Sequence, residues 1–272
     1  MTLKRVIYAA VPHVVLTLFS LAILLPLLWI LRVSLTDKLT AYKIPPEIGR
    51  MGLFNYVDVF TNYPFVTWFL NSAVVALAAT AIALPLATAM AYAFARFNTG
   101  GPALRLGILA SQMLPPIILL LPLFAVFLAA NLMQSRIALI AAHLTIALPF
   151  LAWMLVSFFE GDAARLEEAA RVDGATRWQA FTRIALPVAA PGILAAGLLG
   201  FILSWNEFLF ALVLSGPKTQ TLPVGLASLE THAGVEIAPL AAATVISLLP
   251  VFVLLPFLRK HLIKGLSLGA LK

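Results

Sequence analysis

Six apolar runs, near 11–31, 69–94, 105–129, 137–159, 188–214 and 239–258, leave a chain of 272 residues little choice but helices that cross a bilayer. Each run can traverse roughly 30 Å of hydrocarbon, which takes about 20 residues of helix. Inside lipid the backbone must satisfy its own hydrogen bonds, so a run of this length folds as a helix. Composition agrees: 62% of the residues are hydrophobic and 11% charged, far from the balance of a soluble domain. The expected fold class is an all-α integral membrane protein with six transmembrane helices.

The basic residues give these spans a direction. Lys4 and Arg5 precede an apolar stretch too long for a secretory signal and closed by no small-x-small site, so it reads as an uncleaved first span. With both ends cytoplasmic, the inner segments hold Lys4, Arg5, Arg96, Arg105, Arg165, Arg171, Arg177, Arg183, Arg259, Lys260, Lys264 and Lys272. The outer segments hold only Arg32, Lys38, Lys43, Arg50, Arg136 and Lys218. This excess of inner positive charge places the N and C termini in the cytoplasm. It also accounts for the net charge of +7 without nucleic acid, because no basic block interleaved with aromatics occurs. The chain has no cysteine, which excludes disulfides and thiolate metal sites and leaves the redox compartment open.

The largest extramembrane pieces are 32–68, 160–187 and 215–238, too short for a separate soluble domain, so a single transmembrane domain over 1–272 is the economical organisation. Pro26, Pro85, Pro115, Pro116, Pro122, Pro149 and Pro250 lie inside apolar runs. They fit kinked helices around a pathway and fit irregular packing equally well.

One segment departs from this pattern. Between Glu160 and Pro187 the sequence "EEAARVDGATRWQAFTRIALP" and its flank carry nine charges. Asp162 is a candidate N-cap of a first helix, and Gly174 a candidate C-terminal residue of positive φ. Thr176 and Gln179 have capping-box spacing for a second helix, which Pro187 is expected to limit. In the first helix Leu166, Ala169, Ala170 and Asp173 share a face, while Glu167 and Arg171 can pair at i, i+4. In the second, Trp178, Phe181, Thr182 and Ala185 form a stripe suited to anchoring against the spans. A plain connector needs no such pair of capped helices, whereas small side chains beside carboxylates let another protein approach the backbone closely. Either role is compatible with the pattern alone.

The residues "EAARVDGA" (168–175), with Phe181, Ile184 and "LP" at 186–187, resemble the cytoplasmic EAA loop of permease subunits in bacterial ABC importers. The likeness is closest to the second permease of maltose-type carbohydrate importers and extends to "NSAVVALAATAIALPLATAMAYAFARF" (71–97), "LSWNEFLFAL" (203–212), "TLPVGL" (221–226) and "GLSLGALK" (265–272). The resemblance implies the type I ABC importer permease fold in a bacterial cytoplasmic (inner) membrane. It implies a coupling helix near 162–172 seated in an ATPase subunit, with Glu168, Ala169, Ala170, Asp173 and Gly174 as coupling residues. It further implies a second, nonidentical permease, an ATPase dimer holding ATP and Mg, and an extracytoplasmic solute-binding protein. The expected function is one half of the translocation pathway of an ATP-driven importer for a sugar or sugar-like solute.

No G-x-x-x-x-G-K-[ST] occurs, so this chain has no Walker phosphate cradle. It is expected to be non-catalytic, with no cofactor or metal of its own. Glu207 and Asn206, inside the fifth run, are candidates for the pathway or the permease interface, since an intramembrane carboxylate is a functional feature by default. No charged partner for Glu207 is evident in the other runs. His143 reads as a packed, hydrogen-bonded histidine, and the four histidines lie on separate segments. Gln112, Asn131 and Gln134 could face solute, but the resemblance implies that the other permease makes most solute contacts, so no sugar site is assigned to them. The outer loop 215–238 either reaches toward a binding protein or is an ordinary connector. Competing functions are a secondary transporter centred on Glu207 and a membrane hydrolase using "EEAAR" with His143; the first leaves the hairpin unexplained and the second lacks a nucleophile.

Overall fold

The computed structural model describes residues 3–45, 47, 49–231 and 234–269. Its elements in chain order are α1 (Leu3–Leu35), α2 (Lys38–Ala41), α3 (Phe54–Asn62), α4 (Phe65–Phe97), α5 (Gly101–Met113), α6 (Pro116–Ala129), α7 (Arg136–Val172) and α8 (Arg177–Ala180). A π-helical turn (Phe181–Ala185) then leads to α9 (Leu186–Trp205), α10 (Leu209–Leu214), α11 (Leu222–Ala227), β1 (Glu230–Thr231), β2 (Gly234–Val235) and α12 (Ile237–Gly269). The strands form a two-residue antiparallel ribbon.

Among the described residues, five helices are long and apolar enough to cross a membrane, and a sixth span arises if α5 and α6 count as one. Those two meet at 94°, so the third apolar run, expected to be kinked at its prolines, is bent nearly at a right angle. Pro115 holds Leu114 in an extended conformation, and consecutive prolines remove two backbone donors where the helix would have to continue. The fifth run is likewise divided, into α9 and α10, at residues 206–208. Pro26, Pro85, Pro149 and Pro250 instead lie within continuous helices.

The chain packs as two compact units. The first comprises the described residues up to Phe65 together with Leu226–Leu249. Here buried Asn55 donates to the Ser34 and Thr36 carbonyls at 2.9 and 2.8 Å, which fastens α3 to the end of α1. Lys38 pairs with Asp58 at 2.7 Å and approaches Glu236 at 3.7 Å, and the Tyr63 hydroxyl donates to Glu236 at 2.6 Å. Burial pushes the Asp58 carboxyl upward, but bonds from Lys38 and Asn62 outweigh it and hold the group below its ordinary value. Burial and then the Glu236 carboxylate push the Tyr63 phenol above its own.

The second unit runs from Val66 to Gly225 and includes the described residues from Pro250 onward. Its core has two parts. Ala83, Ala87 and Ala91 of α4 pack with Leu151, Leu155 and Phe159 of α7 and with Ala189 and Ala196 of α9. Val75 of α4 packs with Phe127 of α6, Leu139 of α7 and Phe210 and Leu214 of α10. The alanines recur at helical spacing, so α4 presents a smooth stripe of small residues to its neighbours. Gly192 of α9 faces the Phe158 ring so closely that an added Cβ would collide with it.

Candidate functional site

The charged hairpin folds as its local signals require. Gly161 has helical φ but ψ of −120°, which interrupts α7 and separates residues 162–172 from the span before them. This agrees with a helix start near Asp162, whose side chain lies outside the described set. At the other end Gly174 has φ +93°. The Ala175 N–H donates to the Ala170 carbonyl at 3.0 Å and the Gly174 N–H to that of Arg171 at 3.2 Å, the paired bonds of a Schellman cap. Thr176 and Gln179 form both halves of the capping box, at 3.2 and 2.9 Å.

Three expectations about this segment need correction. Pro187 does not end the second helix: the π-helical turn Phe181–Ala185 precedes it, and Pro187 falls in the first turn of α9. The backbone is already helical at Ala185 and Leu186, so Pro187 lies inside a helical stretch that runs from Arg177 to Trp205. Trp178 is not an anchor, since it is 71% exposed; Ala180 and Ala185 are the buried residues, and Phe181 stacks against Tyr92 at 4.4 Å between ring centroids. Glu167, finally, does not pair with Arg171 on a solvated face. It is 5% exposed, and both its oxygens are committed to α4: the Tyr92 hydroxyl donates to Oε1 and the Arg96 Nε to Oε2, each at 2.5 Å. Tyr92 sits among the rings of Phe97, Phe159 and Phe181.

With Glu167 and Ala163 turned inward, the opposite side of the hairpin is open. Leu166 is 50% and Val172 86% exposed, and Glu168, Ala169, Arg171, Asp173 and Gly174 are exposed beside them, while Ala170 is half-buried. The result is a ledge of apolar and small residues edged by both signs of charge, held from beneath by a buried ion pair. Neither Val172 nor the Tyr92–Arg96 clamp was evident from the sequence. The i, i+4 spacing of Tyr92 and Arg96 at the inner end of a span was the available signal.

The break in the fifth run has its own polar cluster. Glu207 accepts from the Phe210 and Ala211 N–H groups at 2.8 and 3.1 Å, so it caps α10. His143 of α7, 2% exposed, brings Nε2 within 3.2 Å of Glu207 Oε2 and bonds through Nδ1 to the Ser204 hydroxyl at 2.6 Å. Glu207 therefore has a partner on another span, contrary to the expectation from the sequence. Asn206 is exposed at the C-cap of α9 and donates to the Ile202 carbonyl at 2.9 Å. Among the described residues no three His, Asp or Glu side chains converge as a metal site. His232 lies outside them.

The outer end of α4 is held by polar contacts as well. Asn71, fully buried, donates to the Lys218 and Gln220 carbonyls at 3.1 and 2.8 Å and accepts from the Arg136 Nε at 2.9 Å. Ser72 receives the Leu222 N–H at 2.7 Å, and Gln134 and Thr219 bond across the same loop.

Residues 83–268 match the model of the binding-protein-dependent transport system inner membrane component family. The chain belongs to this family. It is similar to the sulfoquinovosyl glycerol transport system permease protein of Agrobacterium fabrum, at 38% identity covering 92% of this chain and 89% of the relative. It is also similar to the trehalose transport system permease protein of Mycobacterium tuberculosis, at 35% identity covering 92% of both chains. A third similar relative is the trehalose/maltose permease of Thermococcus litoralis, at 32% identity and 94% of both. A solved bacterial ABC transporter for the acidic polysaccharide alginate contains a chain of the same fold, with TM-score 0.75, 21% identity and coverage of 96% and 98%. The permease is thus a multi-pass membrane component with the type I importer fold, and ATP hydrolysis belongs to a separate subunit of such systems.

Proposed function

We propose that the permease forms half of the pathway of an ATP-driven importer for a sugar or sugar-like solute in a bacterial cytoplasmic membrane, with 1–272 acting as one transmembrane domain. The relatives named for sulfoquinovosyl glycerol and trehalose transport support the solute class. Its companions are a second, nonidentical permease, two ATPase subunits that hold ATP and Mg, and an extracytoplasmic binding protein. The observation that carries the coupling role is the hairpin's open ledge on a buried foundation: Glu168, Ala169, Ala170, Asp173 and Gly174 lie on or beside the exposed side, while Glu167 is locked underneath. ATP binding closes the ATPase dimer and shifts the permease pair between inward and outward states, by differential affinity for the two. Asn206 and Glu207, at the helix break, line the pathway or the permease interface, since broken backbone at membrane depth is stable only in protein or beside a cavity.

The test is ATP hydrolysis and uptake by the reconstituted complex with binding protein and a panel of radiolabelled mono- and disaccharides, sugar-glycerols and polyols. At least one sugar is expected to stimulate hydrolysis in the native complex, and Glu168→Lys is expected to abolish stimulation with assembly intact. Uptake by the permease pair without ATPase subunits would contradict the proposal.

A further inference from the structure

The helix that carries the hairpin is the poorer route for passing on its motion. Gly161 interrupts α7 with ψ of −120°, and nothing lies within 4 Å of the position its Cβ would occupy. A glycine with free space around it is a place where backbone angles can change at little cost. The hairpin's second arm continues helically into α9, and the route sideways to α4 is tighter than the one through Gly161. Glu167, six residues past that hinge, spends both carboxylate oxygens on α4, one on Tyr92 and one on Arg96, and the ion pair is largely buried, with side chains 6% and 15% exposed. A buried, bidentately used carboxylate is held more firmly than a solvated pair, because separating it strands a charge away from water.

From that grip α4 runs as one helix of 33 residues to its outer end. Arg96 and Asn71 are 25 residues apart, or about 37 Å along the axis at 1.5 Å per residue. At the far end Asn71 is fully buried and uses both its amide nitrogen and its oxygen, on the backbone of the 216–222 loop and on Arg136. The helix is therefore held at both ends by polar clamps, with a stripe of small residues between them along which it can slide or rotate.

Resting on the coupling role proposed for the hairpin, we infer that α4 is the transmission element of the permease: the Glu167–Arg96–Tyr92 clamp bypasses the Gly161 hinge and carries hairpin movement along α4 to the outer loop held by Asn71. Glu167, Tyr92 and Arg96 are positioning residues, and none of them lies on the exposed ledge.

The absence of cysteine permits a direct test in the full complex reconstituted in bilayers. Spin labels at Val172→Cys and Lys218→Cys, both exposed, report the distance between hairpin and outer loop in nucleotide-free and ATP–vanadate states. In parallel, Val172→Cys is cross-linked to the ATPase subunit. In the native background the distance is expected to be narrow and constant to within about 2 Å, the scale of small helix shifts. In Glu167→Gln it is expected to broaden and to become nucleotide-dependent while the cross-link persists. Tyr92→Phe, which keeps the ring and the ion pair, is expected to fall between them and to carry the test if Glu167→Gln fails to assemble. Arg96→Lys is expected to fall closer to native than Glu167→Gln, because an ammonium keeps the charge that pairs with the carboxylate but not the guanidinium geometry. An unchanged distance in both Glu167→Gln and Tyr92→Phe with the cross-link present would overturn the transmission role alone. Loss of the cross-link in the native protein would overturn the docking role on which it rests.

Discussion

Gly174→Ala isolates the energetic contribution of the hairpin bend. The native residue has φ +93°, and a methyl added there would meet nothing within 4 Å, so the substitution introduces backbone strain and no clash. An L-residue in the left-handed region is disfavoured by roughly 1–2 kcal/mol, which corresponds to about a 5–30-fold fall in the population of the intact bend. The bonds at stake are those from the Ala175 and Gly174 N–H groups to the Ala170 and Arg171 carbonyls. Hydrogen exchange of the assembled complex reads them directly, because protection there follows the local opening equilibrium. Protection at 174 and 175 is expected to fall about 5–30-fold in Gly174→Ala, and less in Gly174→Asn, whose side chain tolerates positive φ. The core of the second unit should be unaffected. Equal protection in the native and Gly174→Ala proteins would refute the assignment of Gly174 as an obligatory positive-φ cap.

Asn71→Ala leaves the Lys218 and Gln220 carbonyls and the Arg136 Nε without their buried partner, at about 1–3 kcal/mol per stranded group; limited proteolysis should then cleave the 216–222 loop markedly faster than in the native protein. Glu207→Gln retains an oxygen to cap α10 and is expected to preserve ATP-driven uptake across about pH 6 to 8; uptake that keeps its rate but loses the native pH dependence would favour a proton relay through His143. Gly192→Ala forces a methyl into the Phe158 ring, and overpacking of this kind costs about 1–3 kcal/mol, which a lowered midpoint in thermal unfolding of the complex would report.

The spans were legible because lipid forces a simple relation between apolar length and helix. The hairpin's caps were legible because Gly174, Thr176 and Gln179 act on backbone groups within a few residues of themselves. What stayed hidden depends on contacts between residues far apart in sequence. Glu167 has an i, i+4 cation in Arg171, and helical spacing alone pairs them; only the packing of α4 against α7 offers it Arg96 and Tyr92 instead. Glu207 and His143 lie 64 positions apart on runs that give no hint of facing each other. Trp178 reads as part of an apolar stripe, yet the seam falls on Ala180 and Ala185 because the π turn rotates the helix face ahead of α9. Pro115 and Pro116 did mark a break, but one-dimensional hydropathy does not distinguish a kink from a 94° bend.

Seating of the hairpin's open ledge in an ATPase subunit can be measured directly. With no native cysteine to confuse the result, single cysteines at Ala169, Val172 and, as a control, the exposed Leu18 of α1 can be treated with a short bifunctional cross-linker in the assembled importer. A product joining this chain to the ATPase is expected from positions 169 and 172 and none from position 18. Absence of the product at both hairpin positions, in a complex that still hydrolyses ATP, would contradict that seating.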